Sequence, residues 1–167
     1  MDRDDFRREA ERAFGTVRES MTARFLAFEP QDRASDAALQ LGAQRVSGGP
    51  VVQAGRVVGM ITLSDLLLRE GHVASQTSGP FLRGERHLAH LTVADVMTRD
   101  VVSVGADEPL VRAAELMDSA GVNRLPVVDD LGRPIGILAR DDVIRAIALV
   151  VRELVPAGVG TRATGTA

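Results

Sequence analysis

The feature that most constrains the fold of this chain is an internal repeat. The pair Met21-Thr22 recurs as Met97-Thr98, at a spacing of 76 residues. Pro50-Val51-Val52 recurs as Pro126-Val127-Val128 at the same spacing, which becomes 77 after one residue inserted in a predicted turn. A repeat of this length is too long for one solenoid unit, so it indicates a duplicated domain. Each copy should contain the same elements in the same order.

The second copy shows that order clearly. A β-branched run at 101–104 predicts a strand, and apolar residues at helical spacing within 109–120 predict a helix. Apolar runs at 125–128 and 135–138 flank a turn that contains Gly132, which favours a β-hairpin. A second helix follows, and four of its apolar residues are expected to face the core: Val143, Ile144, Ile147 and Val151. The predicted order is β-α-β-β-α.

The first copy repeats this order, with helices near 33–43 and 65–70. We therefore expect an α/β fold of the α+β type, built from two tandem β-α-β-β-α domains. The predicted segments are an N-terminal helix, a first domain, a linker without periodicity, a second domain and a flexible tail: 1–16, 17–70, 71–92, 93–153 and 154–167. Helical spacing in the leading segment predicts a face that packs on the module or on a partner: Phe6, Ala10, Ala13, Phe14 and Val17.

The composition argues against several functions. A net charge of -3 and an aromatic fraction of 3%, without Trp or Tyr, do not suit a dedicated nucleic-acid binder. The absence of cysteine agrees with a cytoplasmic location. No apolar run suggests a signal peptide or a membrane span. No nucleophile and base pair, Walker-type phosphate loop or pair of working carboxylates is recognisable, so we expect that the chain is not an enzyme.

Three segments in each copy resemble the signature segments of a CBS domain. In the second copy they are VADVMT at 93–98, GVNRLPVVD at 121–129 and GILARDD at 136–142. The first copy repeats them more loosely as VRESMT at 17–22, SGGPVV at 47–52 and GMITLSD at 59–65. Each segment alone is a weak signal, but three in order, twice, are specific. The chain is therefore similar to tandem CBS-domain proteins (Bateman modules) of the stand-alone bacterial type.

The resemblance implies two domains related by pseudo-twofold symmetry. Many members of this family bind adenosine nucleotides or related adenosyl ligands in clefts between such domains, and the pairs usually form disk-like dimers. A Thr/Ser-x-x-Asp motif, here from Thr62 to Asp65, holds the ligand in the family. The candidate ligand-binding residues are Thr22, Ser47, Gly48, Gly49, Pro50, Thr62, Ser64, Asp65, Thr98, Asn123, Arg124, Pro126, Arg140 and Asp142. No cofactor is required and no metal site is expected.

The motif at Thr62 and Asp65 has two physical interpretations. A carboxylate can accept hydrogen bonds from both hydroxyls of a ribose, and the amides of a helix N-terminus favour a nearby phosphate. Thr-x-x-Asp ahead of an apolar run is also a helix capping box that needs no ligand. Both interpretations can be true. Gly48-Gly49 likewise allows either a close approach of the backbone to a flat base or a tight turn.

The second copy departs from the motif because Ala139 stands where the first copy has Thr62. Asp142 is kept, and Arg140 could offer a charge to phosphate. An adenosine nucleotide should therefore depend more on the first copy's pair than on Asp142. The spacing of His87 and His90 would suit a metal on a helix, but without further ligands it makes a poor site.

Two functions of different classes fit these observations. The first is a sensor in which an adenosine ligand changes the packing of the two halves and so affects an unknown protein target. The second is a constitutive dimerisation or scaffold module with vacant clefts, in which the helix that carries Phe6 and Phe14 makes the important contact. The ligand's identity, occupancy of the second cleft, dimer geometry and regulated pathway stay open.

Overall fold

The structure is a computed structural model that describes residues 2–67 and 88–154. The first half begins with three helices, α1 (Arg3–Phe14), α2 (Val17–Ser20) and α3 (Ala34–Gln44). Two strands follow, β1 (Gly48–Gln53) and β2 (Arg56–Thr62), and then helix α4, which is described over 63–67. The second half contains α5 (Val93–Val96), β3 (Val104–Gly105), α6 (Leu110–Ala120), β4 (Arg124–Val128), β5 (Pro134–Ala139) and α7 (Arg140–Leu154). Most of the predicted linker and tail, and the end of the predicted helix at 65–70, lie outside the described residues.

Both halves contain an antiparallel β-hairpin. Strand β1 pairs with β2, and β4 pairs with β5, with a register shift at the equivalent position of each hairpin. Ala54 and Gly55 have positive φ in the first turn, as a two-residue hairpin turn requires. Gly132 has φ +76° in the longer second turn. The inserted residue of the second copy therefore lies in this turn, as the repeat predicts.

The first strand of each repeat is shorter than its sequence predicts. Strand β3 pairs in parallel with β4 over two residues only, although the β-branched run covers 101–104. In the first half the counterpart is a single parallel bridge between Phe28 and Val51. The strand begins only at Val104, and Val102 is 37% exposed, so the start of this run adds nothing to the sheet.

Two hydrophobic cores form, and each one includes a helical turn from the other half of the chain. Val17 of α2 is fully buried among second-half residues such as Leu110 and Leu138. Val93 and Val96 of α5 pack in the first-half core, whose members include Leu41, Val51 and Ile61. Backbone hydrogen bonds fix this exchange: the N–H of Val17 donates to Glu108 O at 2.9 Å, and that of Val93 donates to Asp32 O at 2.8 Å.

Two predicted helix faces are wrong in part. Helix α1 ends at Phe14 because Gly15 has φ +70°, so Val17 belongs to the next helix. Phe14 packs on the second-half core, whereas Phe6 is exposed. On α7 only Val143 is buried, and the other three predicted core residues are exposed: Ile144, Ile147 and Val151. Periodicity identifies an apolar face but does not say whether this chain covers it.

The two halves meet through a pair of equivalent junctions. Thr22 and Ile137 exchange backbone hydrogen bonds of 2.8 and 3.0 Å, and Thr98 and Met60 exchange two of 2.9 Å. The methionine before each threonine lies over a glycine of the other half. A Cβ on Gly136 would be 2.6 Å from Met21 Sδ, and one on Gly59 would be 2.5 Å from Met97 Sδ. The repeated Met-Thr pairs and glycines are therefore the contacts that join the two copies.

Candidate ligand clefts

Two clefts of nearly equal size lie beside these junctions. Cleft 1, of about 280 Å³, is lined by residues from both halves: Met60, Thr62, Ser64, Asp65, Thr98, Asp100, Val101, Val102, Gly121, Val122, Asn123 and Arg124. Cleft 2, of about 270 Å³, is lined by Thr22, Arg24, Phe25, Leu26, Arg45, Val46, Ser47, Gly48, Arg124, Ile137, Ala139, Asp141, Asp142 and Arg145. At the repeat spacing, all twelve positions of cleft 1 recur in cleft 2. The two clefts are therefore pseudosymmetric equivalents.

In cleft 1 the Thr62 and Asp65 pair forms a capping box at the start of α4. Asp65 Oδ2 accepts hydrogen bonds from the Thr62 N–H at 2.8 Å and from the Thr62 hydroxyl at 2.7 Å, while the Asp65 N–H donates to Thr62 Oγ1 at 3.2 Å. Asp65 Oδ1 accepts no hydrogen bond from the residues that the structure describes. The capping role is thus present, and one carboxylate oxygen is left for a ligand.

The equivalent aspartate of cleft 2 has both oxygens engaged. Asp142 Oδ2 accepts the Ala139 N–H at 2.9 Å, and Oδ1 is 3.1 Å from an Arg145 guanidinium nitrogen. Ala139 contributes no hydroxyl, so this capping arrangement lacks the reciprocal bond seen at Thr62. A ligand that contacts Asp142 must therefore compete with Arg145.

Arg124 lines both clefts. Its guanidinium donates a hydrogen bond to the Ser47 hydroxyl, which belongs to the wall of cleft 2. Ser47 in the wall of cleft 2 and Asn123 in the wall of cleft 1 make equivalent backbone hydrogen bonds. Ser47 O accepts the Leu63 N–H at 2.9 Å, and Asn123 O accepts the Arg140 N–H at 2.8 Å. Each wall is thus tied to the helix start of its own half, and that helix start lines the other cleft.

Ten of the fourteen candidate residues line the two clefts. Six lie in cleft 1, where Arg124 is shared: Thr62, Ser64, Asp65, Thr98, Asn123 and Arg124. Four more lie in cleft 2: Thr22, Ser47, Gly48 and Asp142. Arg140 lines a neighbouring hollow with Asn123, Arg124, Ala139 and Asp141. Gly49, Pro50 and Pro126 lie within strands and are buried, and they do not line either cleft.

The Gly48-Gly49 pair belongs to strand β1, so the tight-turn interpretation is wrong. A Cβ on Gly48 would lie 2.6 Å from Ile61 O, and one on Gly49 would collide with Leu26 O. Both glycines thus allow close packing of the chain on itself, and Gly48 alone also lines a cleft.

Sequence reasoning missed several residues that the structure places in the clefts. The charged ones are Asp100 in cleft 1 and Arg24, Arg45, Asp141 and Arg145 in cleft 2. Applying the repeat spacing to the segment after each Met-Thr pair would have found Arg24 and Asp100, because they occupy equivalent positions. His90 is described and His87 is not; among described residues, no three His, Cys, Asp or Glu side chains form a metal site.

Comparison with known proteins agrees with this geometry. The family model of the CBS domain matches residues 16–70 and 93–149. The chain belongs to the CBS-domain family, as a tandem pair with an α+β fold. Every helix in the described parts of the chain is too short or too polar to cross a membrane.

Two solved structures illustrate the likeness. CBSX2 in complex with AMP is 31% identical with a TM-score of 0.67, over 82% of this chain and 98% of that one. The CBS domain pair of protein MJ0100, in complex with 5′-methylthioadenosine and S-adenosyl-L-methionine, is 25% identical with a TM-score of 0.64, over 80% of this chain and 99% of that one.

The curated relatives include uncharacterised proteins of Methanocaldococcus jannaschii. MJ1426 is 32% identical over 62% of this chain and 74% of its own length. MJ1232 is 30% identical over 62% of this chain, which spans 29% of that relative. The chain therefore matches only a part of some relatives.

Proposed function

We propose that this chain is a regulatory module that binds an adenosine ligand in the clefts between its two CBS domains. The observation that carries this proposal is that both halves contribute side chains to each cleft. A ligand seated there contacts both domains at once, so its affinity depends on how they are packed. Binding can shift packing only through such differential affinity. The module would thereby pass a change in ligand concentration to a protein target.

The chemistry of cleft 1 suits a nucleoside. Asp65 presents a carboxylate oxygen that accepts no hydrogen bond from the described residues and can accept one from a ribose hydroxyl, while its other oxygen keeps the helix start in place. Apolar side chains of Val101, Val102 and Val122 line the same cleft and offer a surface for a base. A volume of about 280 Å³ lies near the lower end of the range for small-molecule pockets, which is roughly 300 Å³.

The relatives support the same class of ligand. CBSX2 was solved with AMP, and the MJ0100 pair with two adenosyl compounds. We also propose that the chain forms a homodimer, acts in the cytoplasm, and catalyses no reaction. We expect neither nucleic acid nor membrane among its partners.

Calorimetric titration with AMP, ADP, ATP and S-adenosylmethionine tests the proposal. We expect at least one of these ligands to bind the wild-type chain. If none releases or absorbs heat and none raises the melting temperature, the clefts are vacant and the constitutive scaffold function replaces this one.

The Asp65→Asn variant tests the two interpretations of the motif. Asparagine keeps an oxygen that can accept the capping bonds but loses the charge, and a charge-assisted bond contributes ~1.5–3 kcal/mol. We therefore expect the ligand of cleft 1 to bind roughly ten-fold more weakly or worse in the calorimeter. Unchanged affinity for every ligand, together with a lower melting temperature, would leave the motif with the capping role alone.

A further inference from the structure

The two clefts share a construction but carry opposite charge. Among the described residues, cleft 2 is lined by four arginines and two aspartates. Cleft 1 is lined by one arginine, which it shares with cleft 2, and by two aspartates. The size, wall elements and backbone contacts are equivalent, so the difference lies in what each cleft attracts.

The contrast arises at equivalent positions. Arg24 of cleft 2 corresponds to Asp100 of cleft 1, which is a reversal of charge. Arg45 of cleft 2 corresponds to Gly121 of cleft 1. Arg124 has Gly48 as its counterpart, and its guanidinium bonds to Ser47 on the wall of cleft 2. The single arginine of cleft 1 is therefore directed toward cleft 2.

Arg45 has a backbone conformation that arginine rarely adopts. It caps the end of α3 with φ +53°, in the left-handed region that favours glycine. The equivalent cap of α6 is Gly121, with φ +65°. Backbone strain of this kind concentrates at functional sites. Glycine would suit this helix end better, and the arginine adds a positive charge to the wall of cleft 2.

Two of these cations are available to a ligand. Arg24 and Arg45 are exposed and make no side-chain hydrogen bond or ion pair with the described residues. Arg145 is paired with Asp142. Guanidinium groups bind phosphate through paired N–H donors, so two unpaired ones in a single cleft suit a phosphorylated ligand. In cleft 1, Asp100 and the free oxygen of Asp65 would repel the same group.

We propose that cleft 2 binds phosphate-bearing adenosine ligands and that cleft 1 selects adenosyl ligands without phosphate. This assignment rests on the proposed function and divides it between the two sites. It also differs from the expectation drawn from the motif alone, which placed the nucleotide beside Thr62 and Asp65. The motif locates a contact for ribose, whereas the arginines locate a contact for phosphate.

Titration with ATP and with S-adenosylmethionine tests the assignment. Arg24→Ala and Arg45→Gly should each weaken ATP roughly ten-fold or more, because each removes a charge-assisted contact. Arg12→Ala, which removes an exposed positive charge from α1 outside both clefts, is the matched control and should leave ATP affinity within two-fold. Asp65→Asn should weaken S-adenosylmethionine more than ATP. ATP affinity should also fall as salt is raised.

Arg45→Gly separates binding from folding. Glycine relieves the left-handed backbone, so the unliganded variant should melt no lower than wild type while its ATP affinity falls. If Arg45 had a purely structural role, Arg45→Gly would lower the melting temperature and leave ATP affinity unchanged. Asp100→Arg gives cleft 1 the residue that cleft 2 has at Arg24, and it should create a second, weaker ATP site in the calorimetric stoichiometry.

The outcomes distinguish this inference from the function on which it rests. If neither of these ligands binds the wild-type chain, and AMP and ADP do not bind either, the proposed function fails. If ATP binds but depends on Asp65 and not on Arg24 or Arg45, only the assignment of the clefts is overturned. The assignment also fails if S-adenosylmethionine binds through the arginines, or if it does not bind while ATP occupies both clefts.

Discussion

At the scale of single residues, the equivalent aspartates Asp65 and Asp142 have different hydrogen-bond partners in the two copies. Among the described residues, Asp65 caps α4 through one oxygen and its other oxygen has no partner, whereas Asp142 accepts the Ala139 amide with one oxygen and pairs with Arg145 through the other. Arg145 makes this difference, because it pairs with Oδ1 of Asp142, whereas the equivalent position of the first copy is Leu68, which carries no charge. In the second copy, therefore, the residue before the helix has no hydroxyl, and Asp142 is paired with Arg145.

Asp129 predicts a pH dependence of stability at the β4–β5 turn. The Arg133 N–H at 2.9 Å, the Arg133 guanidinium and the Leu131 N–H hold the pKa of this carboxyl below its ordinary value of 3.8. A depressed folded-state pKa stabilises the protein above the unfolded pKa and loses that contribution as pH falls through the folded pKa. Asp129→Asn should therefore melt below wild type at pH 7, and the gap should narrow steadily as the pH falls below about 4.

Melting curves by circular dichroism between pH 7 and pH 3 measure this gap. The matched control is Asp130→Asn, since Asp130 is the exposed neighbour in the same turn and accepts no side-chain hydrogen bond from the described residues. A gap for Asp129→Asn that stays constant with pH would contradict the assigned role of its charge.

The sequence predicts a residue well where its signal is local. Thr62 and Asp65 follow from a four-residue motif, and Gly132 follows from turn chemistry. Arg24 and Arg45 were missed, although each stands two residues from a candidate residue, because both lie outside the signature segments. They come together only when the segment after Thr22 meets the end of α3, and that proximity depends on packing.

At the scale of elements, the hairpins and α3 match their patterns, and other elements do not. The β-branched run at 101–104 is mostly unpaired because its first residues line cleft 1 instead of continuing the sheet. Helix α7 shows an apolar stripe that the sequence assigns to the core and the structure leaves exposed. In both cases the pattern identifies the element, and its surroundings decide what the element contacts.

The glycine of each junction gives a prediction about element packing. Gly59→Ala should destabilise the chain by about 1–3 kcal/mol, because the new methyl group meets Met97 Sδ and lies 3.1 Å from Thr98 O. Gly42→Ala is the control, since it lies in α3 with nothing within 4 Å of its Cβ. There alanine should stabilise by ~0.5–1 kcal/mol. Urea unfolding measures both, and equal effects of the two would show that the junction is not closely packed.

At the scale of the whole molecule, the exchanged helical turns make the two halves depend on each other. Val17 completes the second-half core, and Val93 and Val96 complete the first-half core. Neither core is whole within its own repeat. The duplication was visible in the sequence, but the exchange was not, because short helices such as α2 carry no signal that names the core they enter.

The exposed stripe on α7 predicts how two chains assemble. Ile144, Ile147 and Val151 lie at helical spacing on one side of this helix and are about half exposed, which suits burial against a second copy. A fully buried isoleucine contributes ~1.5–3 kcal/mol, so several at a twofold interface support a dimer. Light scattering at micromolar concentration should give twice the chain mass of 17.8 kDa for wild type.

Ile144→Glu should shift the measured mass to that of one chain, because a charge buried in an apolar interface loses its hydration without gaining a partner. Leu131→Glu is the matched control: Leu131 is 55% exposed against 56% for Ile144, but it lies in the β4–β5 turn. That variant should keep the mass of the dimer. A wild-type mass near 17.8 kDa would reject the dimer, and loss of the dimer in both variants, or in neither, would move its interface away from α7.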